Sequence, residues 1–212
     1  MADNSDLLEI SPVIPVVTIN DPSDAVPIAQ ALLAGGIRII ELTLRTDSAL
    51  RSLTRISAEV PDILIGAGTI LTPFQADSAV QAGAQFLVSP GSTPALLDNL
   101  LTQPVPILPG VATVSEVLTA LERGLNSLKF FPAAQAGGPS YLKSIGAPIP
   151  QARFCPTGGI TPETAAGYLA LPNVSCVGGS WLTPDTAIRE KNWKHITELA
   201  RIAYTRATGS PQ

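Results

Sequence analysis

Short runs of β-branched and aromatic residues alternate with longer Ala- and Leu-rich stretches along the whole chain. The apolar runs predict strands over 13–19, 37–44, 63–69, 86–89, 105–109, 125–131, 152–157 and 174–179. Between them, apolar residues recur at helical spacing over 22–34, 47–59, 73–82, 93–101, 113–122, 138–145, 162–170 and 185–206. Eight strand–helix units in 212 residues predict an α/β chain of one domain, 1–212, a (β/α)8 TIM barrel near its minimum size. A doubly wound open sheet competes, but regular units with no interrupting domain favour closure. The acidic and polar ends predict an N-terminal cap segment over 1–9 and a flexible tail over 207–212.

A weak repeat supports the barrel. Gly36, Gly83 and Gly124 each end a predicted helix, as expected of a left-handed cap, and a strand follows each time. Counting five residues past each glycine reaches Glu41, Val88 and Lys129 on alternate strands. Alternate strands of such a barrel send side chains into one interior layer, so Glu41 and Lys129 are expected at one depth, both facing inward. Strand parity adds Arg45 to the Glu41 face, toward the C-terminal end, with Ile40, Leu42 and Leu44 toward the helices.

Composition narrows the function classes. Apolar residues are 45% and charged residues 14%, which excludes disorder for the bulk of the chain. A net charge of −4 without a basic cluster argues against nucleic-acid binding. No secretory signal is legible at the N-terminus, and no apolar stretch approaches the ~20 residues of a membrane span, so a cytoplasmic protein is expected. Cys155 and Cys176 lie in apolar runs without metal-ligand spacing and read as buried free thiols. The lone His195 and the absence of a Cys/His cluster leave zinc and serine-protease chemistry little to work with, and no metal is expected.

The candidate chemistry centres on Lys129. Lys143, Lys191 and Lys194 sit in segments that read as exposed helix or loop, whereas Lys129 stands inside the apolar run Leu125–Pro132. Parity puts it on one face with Ser127 and Phe131. Burying an amine is costly unless its charge is paired or lost. A neutral, desolvated amine is what a Schiff-base enzyme uses to attack a carbonyl carbon. A free lysine titrates near ~10.4, so attack at neutral pH calls for a shift of ~3 units. Burial and Arg45 push that way, while an ionised Glu41 pushes back. A structural ion pair between Glu41 and Lys129, or Glu41 and Arg45, is the alternative. Residues at the C-terminal ends of barrel strands favour catalysis.

Two glycine pairs, Gly158-Gly159 and Gly178-Gly179, close the last two strands. Backbone N–H groups approach an anion closely where no Cβ intervenes, and the loops after strands seven and eight are the recurrent phosphate site of these barrels. Tight turns needing positive φ are the alternative. Thr69 has the parity of an inward hydroxyl able to bind a carboxylate beside Arg45, or else caps the next helix, a job that Thr72 suits. Pro90 and Pro109 read as loop-shaping residues, His195 as surface or helix packing, and Trp181 as a lid or core filler.

These residues together resemble the 2-keto-3-deoxy-6-phosphogluconate aldolases of the Entner–Doudoroff pathway, the bifunctional 4-hydroxy-2-oxoglutarate aldolase family. The resemblance runs from about Pro12 to Ala203. It is carried by ELTLRT at 41–46, GAGT at 66–69, SPG at 89–91, PGVATVSE at 109–116, LKFFPA at 128–133, RFCPTGGI at 153–160 and VGGSWL at 177–182. The chain departs where many members carry glutamate after FFPA, since Ala134 follows here.

The resemblance implies Lys129 as the Schiff-base lysine and Glu41 as the general acid/base. It implies Arg45 and Thr69 on the substrate carboxylate, and Gly158, Gly159, Gly179 and Ser180 on the phosphate. Thr157 would lie near a substrate hydroxyl, with Phe131 and Pro90 along the pyruvyl half. A homotrimer acting on a small phosphorylated 2-keto acid, with no metal or other cofactor, is implied as well. The expected reaction is class I cleavage of 2-dehydro-3-deoxy-6-phosphogluconate to pyruvate and glyceraldehyde 3-phosphate. The rivals are cleavage of 4-hydroxy-2-oxoglutarate as the main activity, and a phosphate-binding barrel isomerase or sensor. Neither the isomerase nor the sensor needs an amine facing a carboxylate.

Overall fold

The chain turns from helix to strand in the same way at three points. The N–H of Gly36 donates to Leu33 and that of Ile37 to Leu32. Gly83 and Ala84, and Gly124 and Leu125, repeat the pattern. The glycines take φ of 91°, 100° and 78°, the left-handed geometry that closes a helix and releases the chain directly into a strand. Helix starts recur too. Thr72, Thr93 and Thr113 each accept a hydrogen bond from the N–H three residues on, with Pro73 and Pro94 in the first turn where a missing N–H costs nothing.

These signals produce, in a computed structural model describing residues 6–208, the strands β1 (Val13–Val17), β2 (Ile39–Thr43), β3 (Leu64–Gly68), β4 (Phe86–Val88) and β5 (Ile107–Leu108). Then come β6 (Gly110–Val111), β7 (Ser127–Phe130), β8 (Arg153–Pro156) and β9 (Val177–Gly179). The intervening helices are α1 (Ala25–Ala34), α2 (Ala49–Glu59), α3 (Pro73–Gln81), α4 (Pro94–Leu100), α5 (Val114–Leu121), α6 (Gly138–Gly146), α7 (Ala165–Leu169), α8 (Asp185–Arg189) and α9 (Trp193–Thr208). All strand pairs are parallel. One sheet has the order β5-β4-β3-β2-β1-β9 and the other β6-β7-β8, curling into an α/β half-barrel of TIM-like architecture. Single bridges Phe154–Val174 and Thr157–Gly178 join β8 to the segment leading through β9.

The expected elements recur with two differences. The run 105–109 becomes β5, and a second short strand, β6, starts after Pro109. Proline has no N–H to give the ladder, so pairing passes from β4 to β7 across it. The expected helix 185–206 is two helices. Lys191 takes φ of 53°, the N–H of Asn192 reaches Ala187, and Asn192 Oδ1 then accepts from the His195 N–H to start α9. The expected end segments are described only in part: Asp6–Glu9 is a 3-10 turn with Leu7 and Leu8 buried. Residues 1–5 of the expected cap segment and 209–212 of the expected tail lie outside the described residues.

Apolar residues divide into two layers. The larger packs helices against the convex side of the strands, with Phe130, Phe154, Ile40 and Leu42 among its members. The smaller lies on the concave side and joins Leu7, Leu8, Ile14, Ile39, Phe86, Val88, Leu108, Cys155 and Cys176. Val88 therefore faces inward, as the five-residue count expects. This second layer is the floor on which the polar site stands. Both cysteines are free and buried there. A hydrogen bond with Cys155, burial and the neighbouring thiol push the Cys176 thiol well up, so it stays protonated.

Candidate active site

Glu41 is in the middle of β2 and Lys129 in the middle of β7, each one step toward the C-terminal ends from the apolar floor. Lys129 Nζ donates to Glu41 Oε1 at 3.0 Å and Oε2 at 3.3 Å. Their side chains are only 5% and 4% exposed, so water screens the contact little. Nζ also lies 5.6 Å from the centroid of the Phe131 ring, as the shared parity of residues 129 and 131 expects. Amine and carboxyl thus meet in one buried contact above an apolar floor.

The strand next to Glu41 is built to admit its carboxylate. A Cβ on Gly68 would lie 2.1 Å from Glu41 Oε1, and one on Gly66 would lie 2.3 Å from the Phe86 ring. β3 therefore presents two bare positions inward, one for a floor residue and one for the acid. Above them, Arg45 Nε donates to Thr69 Oγ1 at 3.2 Å. Thr69 has φ of 61°, a left-handed backbone that β-branched residues rarely adopt. Thr72, not Thr69, caps α3. Local strain of this kind gathers at binding sites, where surrounding structure enforces it.

On the opposite rim, Gly158 and Gly159 take φ of 100° and 72°. The loop after β7 clasps them: the Ala133 N–H donates to Thr157 and the Ala134 N–H to Gly158. Among the described residues, the N–H groups of Gly158, Gly159 and Ser180 donate to no backbone carbonyl. They remain available as a cradle for an anion. Thr157 is buried at this rim, and a Cβ on Gly178 would lie 2.1 Å from its Oγ1. The Trp181 ring lies against Gly179, where a Cβ would come within 1.7 Å, and it packs on the outer core as filler. Pro90 is held by Ser89, whose Oγ is 2.9 Å from Ser92 Oγ and accepts the Gly110 N–H at 3.2 Å. Gly110 has no Cβ because one would lie 2.3 Å from the Pro90 backbone.

A sequence profile of the family described as KDPG and KHG aldolase matches residues 5–199. The chain belongs to that family. It is 47% identical over 206 residues to the 2-dehydro-3-deoxy-phosphogluconate aldolase of Pseudoalteromonas atlantica, covering 97% of this chain and 96% of that one. With the KHG/KDPG aldolase of Escherichia coli it shares 46% identity over 197 residues, 93% of this chain and 92% of the other. Among solved structures, the KDPG aldolase of Legionella pneumophila, with pyruvate captured at low pH as a covalent carbinolamine, superposes with a TM-score of 0.94. It is 49% identical and the match covers 96% of this chain and 98% of that one. The Zymomonas mobilis aldolase with 3-phosphoglycerate has a TM-score of 0.90, 44% identity and 96% coverage of both chains.

Of the positions that the family resemblance singles out, Glu41, Lys129 and Phe131 converge, as do Arg45 with Thr69, and Thr157 with the glycine loops. His195 is exposed on α9. Sequence reading missed the supporting positions. Gly68 leaves room for Glu41 and Gly110 for Pro90, Ser89 accepts the Gly110 N–H, and Thr18 and Thr43 form a hydroxyl pair at 2.9 Å. Thr43 had a signal, since it shares the strand face of Glu41 and Arg45. Among the described residues no group of His, Cys, Asp and Glu is arranged to hold a metal, and no helix is long and apolar enough to cross a membrane.

Proposed function

We propose that this chain is a class I aldolase that cleaves 2-dehydro-3-deoxy-6-phosphogluconate to pyruvate and glyceraldehyde 3-phosphate. The observation that carries the reading is the buried 3.0 Å contact between Lys129 Nζ and Glu41 Oε1. Moving one proton across it yields a neutral amine, the nucleophile, and a carboxylic acid, the proton source. The amine attacks C2 to give a carbinolamine, and loss of water from C2, with a proton from Glu41, gives the iminium. Glu41, now a carboxylate, takes the C4 hydroxyl proton through a water. The C3–C4 bond breaks, its electrons pass to the iminium nitrogen, and glyceraldehyde 3-phosphate leaves. The enamine takes a proton at C3, and water hydrolyses the resulting imine to pyruvate. The covalent pyruvate adduct of the Legionella relative is the species this route passes through on pyruvate release, which supports it.

Arg45 and Thr69 hold the C1 carboxylate, a task suited to a guanidinium beside a hydroxyl. Gly158, Gly159, Gly179 and Ser180 hold the phosphate. Thr157 contacts a substrate hydroxyl, and Phe131 and Pro90 flank the pyruvyl half. These assignments rest on the resemblance together with the contacts described above. The two sheets are read as one closed (β/α)8 barrel forming a single domain, with the 3-10 turn Asp6–Glu9 capping its floor. Supporting this are the continuity of β5 and β6 through Pro109 and the bridges from β8.

Treatment with pyruvate and borohydride adds a pyruvyl mass to Lys129, and an active protein that stays unlabelled defeats the mechanism. Ser180→Ala lowers kcat/KM for the phosphorylated acid, and unchanged kinetics would remove the phosphate assignment. A second reading, cleavage of 4-hydroxy-2-oxoglutarate, is favoured by the double name of the Escherichia coli relative. The same lysine serves both, so the ratio of kcat/KM values on the two acids decides which dominates. A homotrimer is proposed as well. Phe74, 78% exposed, and Leu71, Val114 and Leu118 are apolar surface that association would cover. Light scattering should give three times the 22.0 kDa chain mass.

A further inference from the structure

We propose that Thr18 is a specificity-determining residue that accepts a hydrogen bond from the C5 hydroxyl of the phosphorylated substrate. The inference rests on the aldolase reading and extends it to a residue that neither the motifs nor the family resemblance singled out.

Strand register puts Thr18 in the mouth of the site. Val16 pairs with Glu41 and Val17 with Leu42, so Thr18, just past β1, comes beside Thr43. Residues paired across a parallel ladder face the same side, and Glu41 faces inward. Val16 and Thr18 accordingly share the concave side. Both are half-buried although Val13, Ile14, Pro15 and Val17 around them are buried, as expected of side chains facing an open cup. Thr43 lies two residues beyond Glu41, so its Cα is roughly 6.6 Å further toward the rim.

The hydroxyl pair has a fixed direction. Thr43 Oγ1 is 3.1 Å from the Val17 carbonyl, which can only accept, and 2.9 Å from Thr18 Oγ1. A hydroxyl has one proton. Both contacts are hydrogen bonds only if Thr43 donates to Val17 and Thr18 donates to Thr43. Thr18 Oγ1 then has no proton left, and only its lone pairs face the cup. It is an acceptor looking for a donor, and a sugar hydroxyl is one.

Sheet order says which hydroxyl. The strands run β9-β1-β2-β3, so β1 stands between the rim of Ser180 and the rim of Arg45 and Thr69. A substrate with its carboxylate at Arg45 and its phosphate at the glycine loops passes the end of β1 with the carbons between C2 and C6. C2 is bound to Lys129, and the C4 hydroxyl is committed to Glu41. The C5 hydroxyl is left for Thr18. In 4-hydroxy-2-oxoglutarate C5 is a carboxylate and has no such donor.

The test compares Thr18→Val, which keeps the shape and removes the acceptor, with Thr18→Ser, which restores it. Thr18→Val is expected to lose about threefold to tenfold in kcat/KM on 2-dehydro-3-deoxy-6-phosphogluconate, mostly through KM, the scale of one neutral hydrogen bond. Activity on 4-hydroxy-2-oxoglutarate and borohydride trapping of pyruvate should stay at wild-type level, and Thr18→Ser should recover. An equal loss on both acids, or no loss on either, overturns the proposal. The 5-deoxy analogue gives a second measurement that does not depend on a variant folding: wild type should lose the same factor on it. Equal wild-type kinetics on the analogue and the parent acid also overturn the proposal. Failure of wild type to trap pyruvate or cleave either acid would instead defeat the aldolase reading itself.

Discussion

Lys129 on β7 and Glu41 on β2 come from opposite parts of the strand array, yet Nζ and Oε1 are 3.0 Å apart and both side chains are buried. Each side chain is costly to bury alone, and together they offset that cost while keeping a transferable proton between them. Removing one partner leaves the other stranded. Lys129→Met and Glu41→Leu should each lower stability by roughly 3 kcal/mol, and the double variant should recover much of that loss. Chemical denaturation of all three measures the coupling, and simple additivity would argue against a tight pair. Activity separates the roles: Lys129→Met takes up no pyruvyl mass. Glu41→Gln still does so, with kcat about 10²–10⁴-fold lower.

Gly68 sets the position of the acid. Its missing Cβ would stand 2.1 Å from Glu41 Oε1 and 2.7 Å from Cγ and Cδ. Gly68→Ala therefore has to swing the carboxylate away from Lys129 without altering any reacting group. A displacement near 1 Å costs about 10²-fold in rate, and that fall in kcat is expected with pyruvate trapping retained. Wild-type kcat in Gly68→Ala would mean that the carboxylate position does not matter.

Much of this was legible because strand periodicity and the Lys129–Glu41 contact share one rule here. The five-residue count from Gly36 and Gly124 reached Glu41 and Lys129 because the same helix cap starts both strands at the same height. What escaped has a physical reason in each case. Gly66 and Gly68 look like ordinary weak points in a strand until the Phe86 ring and the Glu41 carboxylate are seen to occupy their space. Pro109 splits one expected strand because a missing N–H shows only in the ladder. The break at Lys191 escaped because lysine rarely takes a left-handed backbone. Short-range pattern carries the layers; mutual exclusion between distant side chains is written only in three dimensions.

Thr69 joins a strained backbone to a hydroxyl that accepts from Arg45. Its φ of 61° is unfavourable for a β-branched residue by about 1–3 kcal/mol, and glycine removes that penalty at an unfolded-state entropy cost of up to about 1 kcal/mol. Thr69→Gly should therefore be at least as stable as wild type by chemical denaturation. It also loses the hydroxyl that accepts from Arg45 at 3.2 Å, so KM for both keto acids should rise. A variant destabilised by more than about 1 kcal/mol would show that the backbone at this position stores no strain.

The start of α5 gives a pH-dependent element outside the site. Burial raises the Glu116 carboxyl, but the N–H of Ala112 and the hydroxyl and N–H of Thr113 outweigh it and leave the group below its ordinary value of 4.5. Thr113 reciprocates by accepting the Glu116 N–H at 3.3 Å, completing a capping box. A carboxyl whose folded-state pKa is depressed stabilises the fold fully above 4.5 and loses that contribution as pH falls through the lower folded-state value. Glu116→Gln keeps an acceptor oxygen and removes only the charge. Its stability deficit should be under about 1 kcal/mol near neutral pH, limited by solvent screening, and should vanish in acid. Thr113→Ala removes the neutral half of the box and should cost about 1 kcal/mol at every pH. Thermal melts of both variants from pH 7 down to about 3 separate the two contributions, because only the glutamine variant's gap is tied to a proton. A glutamine gap that persists unchanged through that range would mean the carboxylate charge plays no part in holding the helix start.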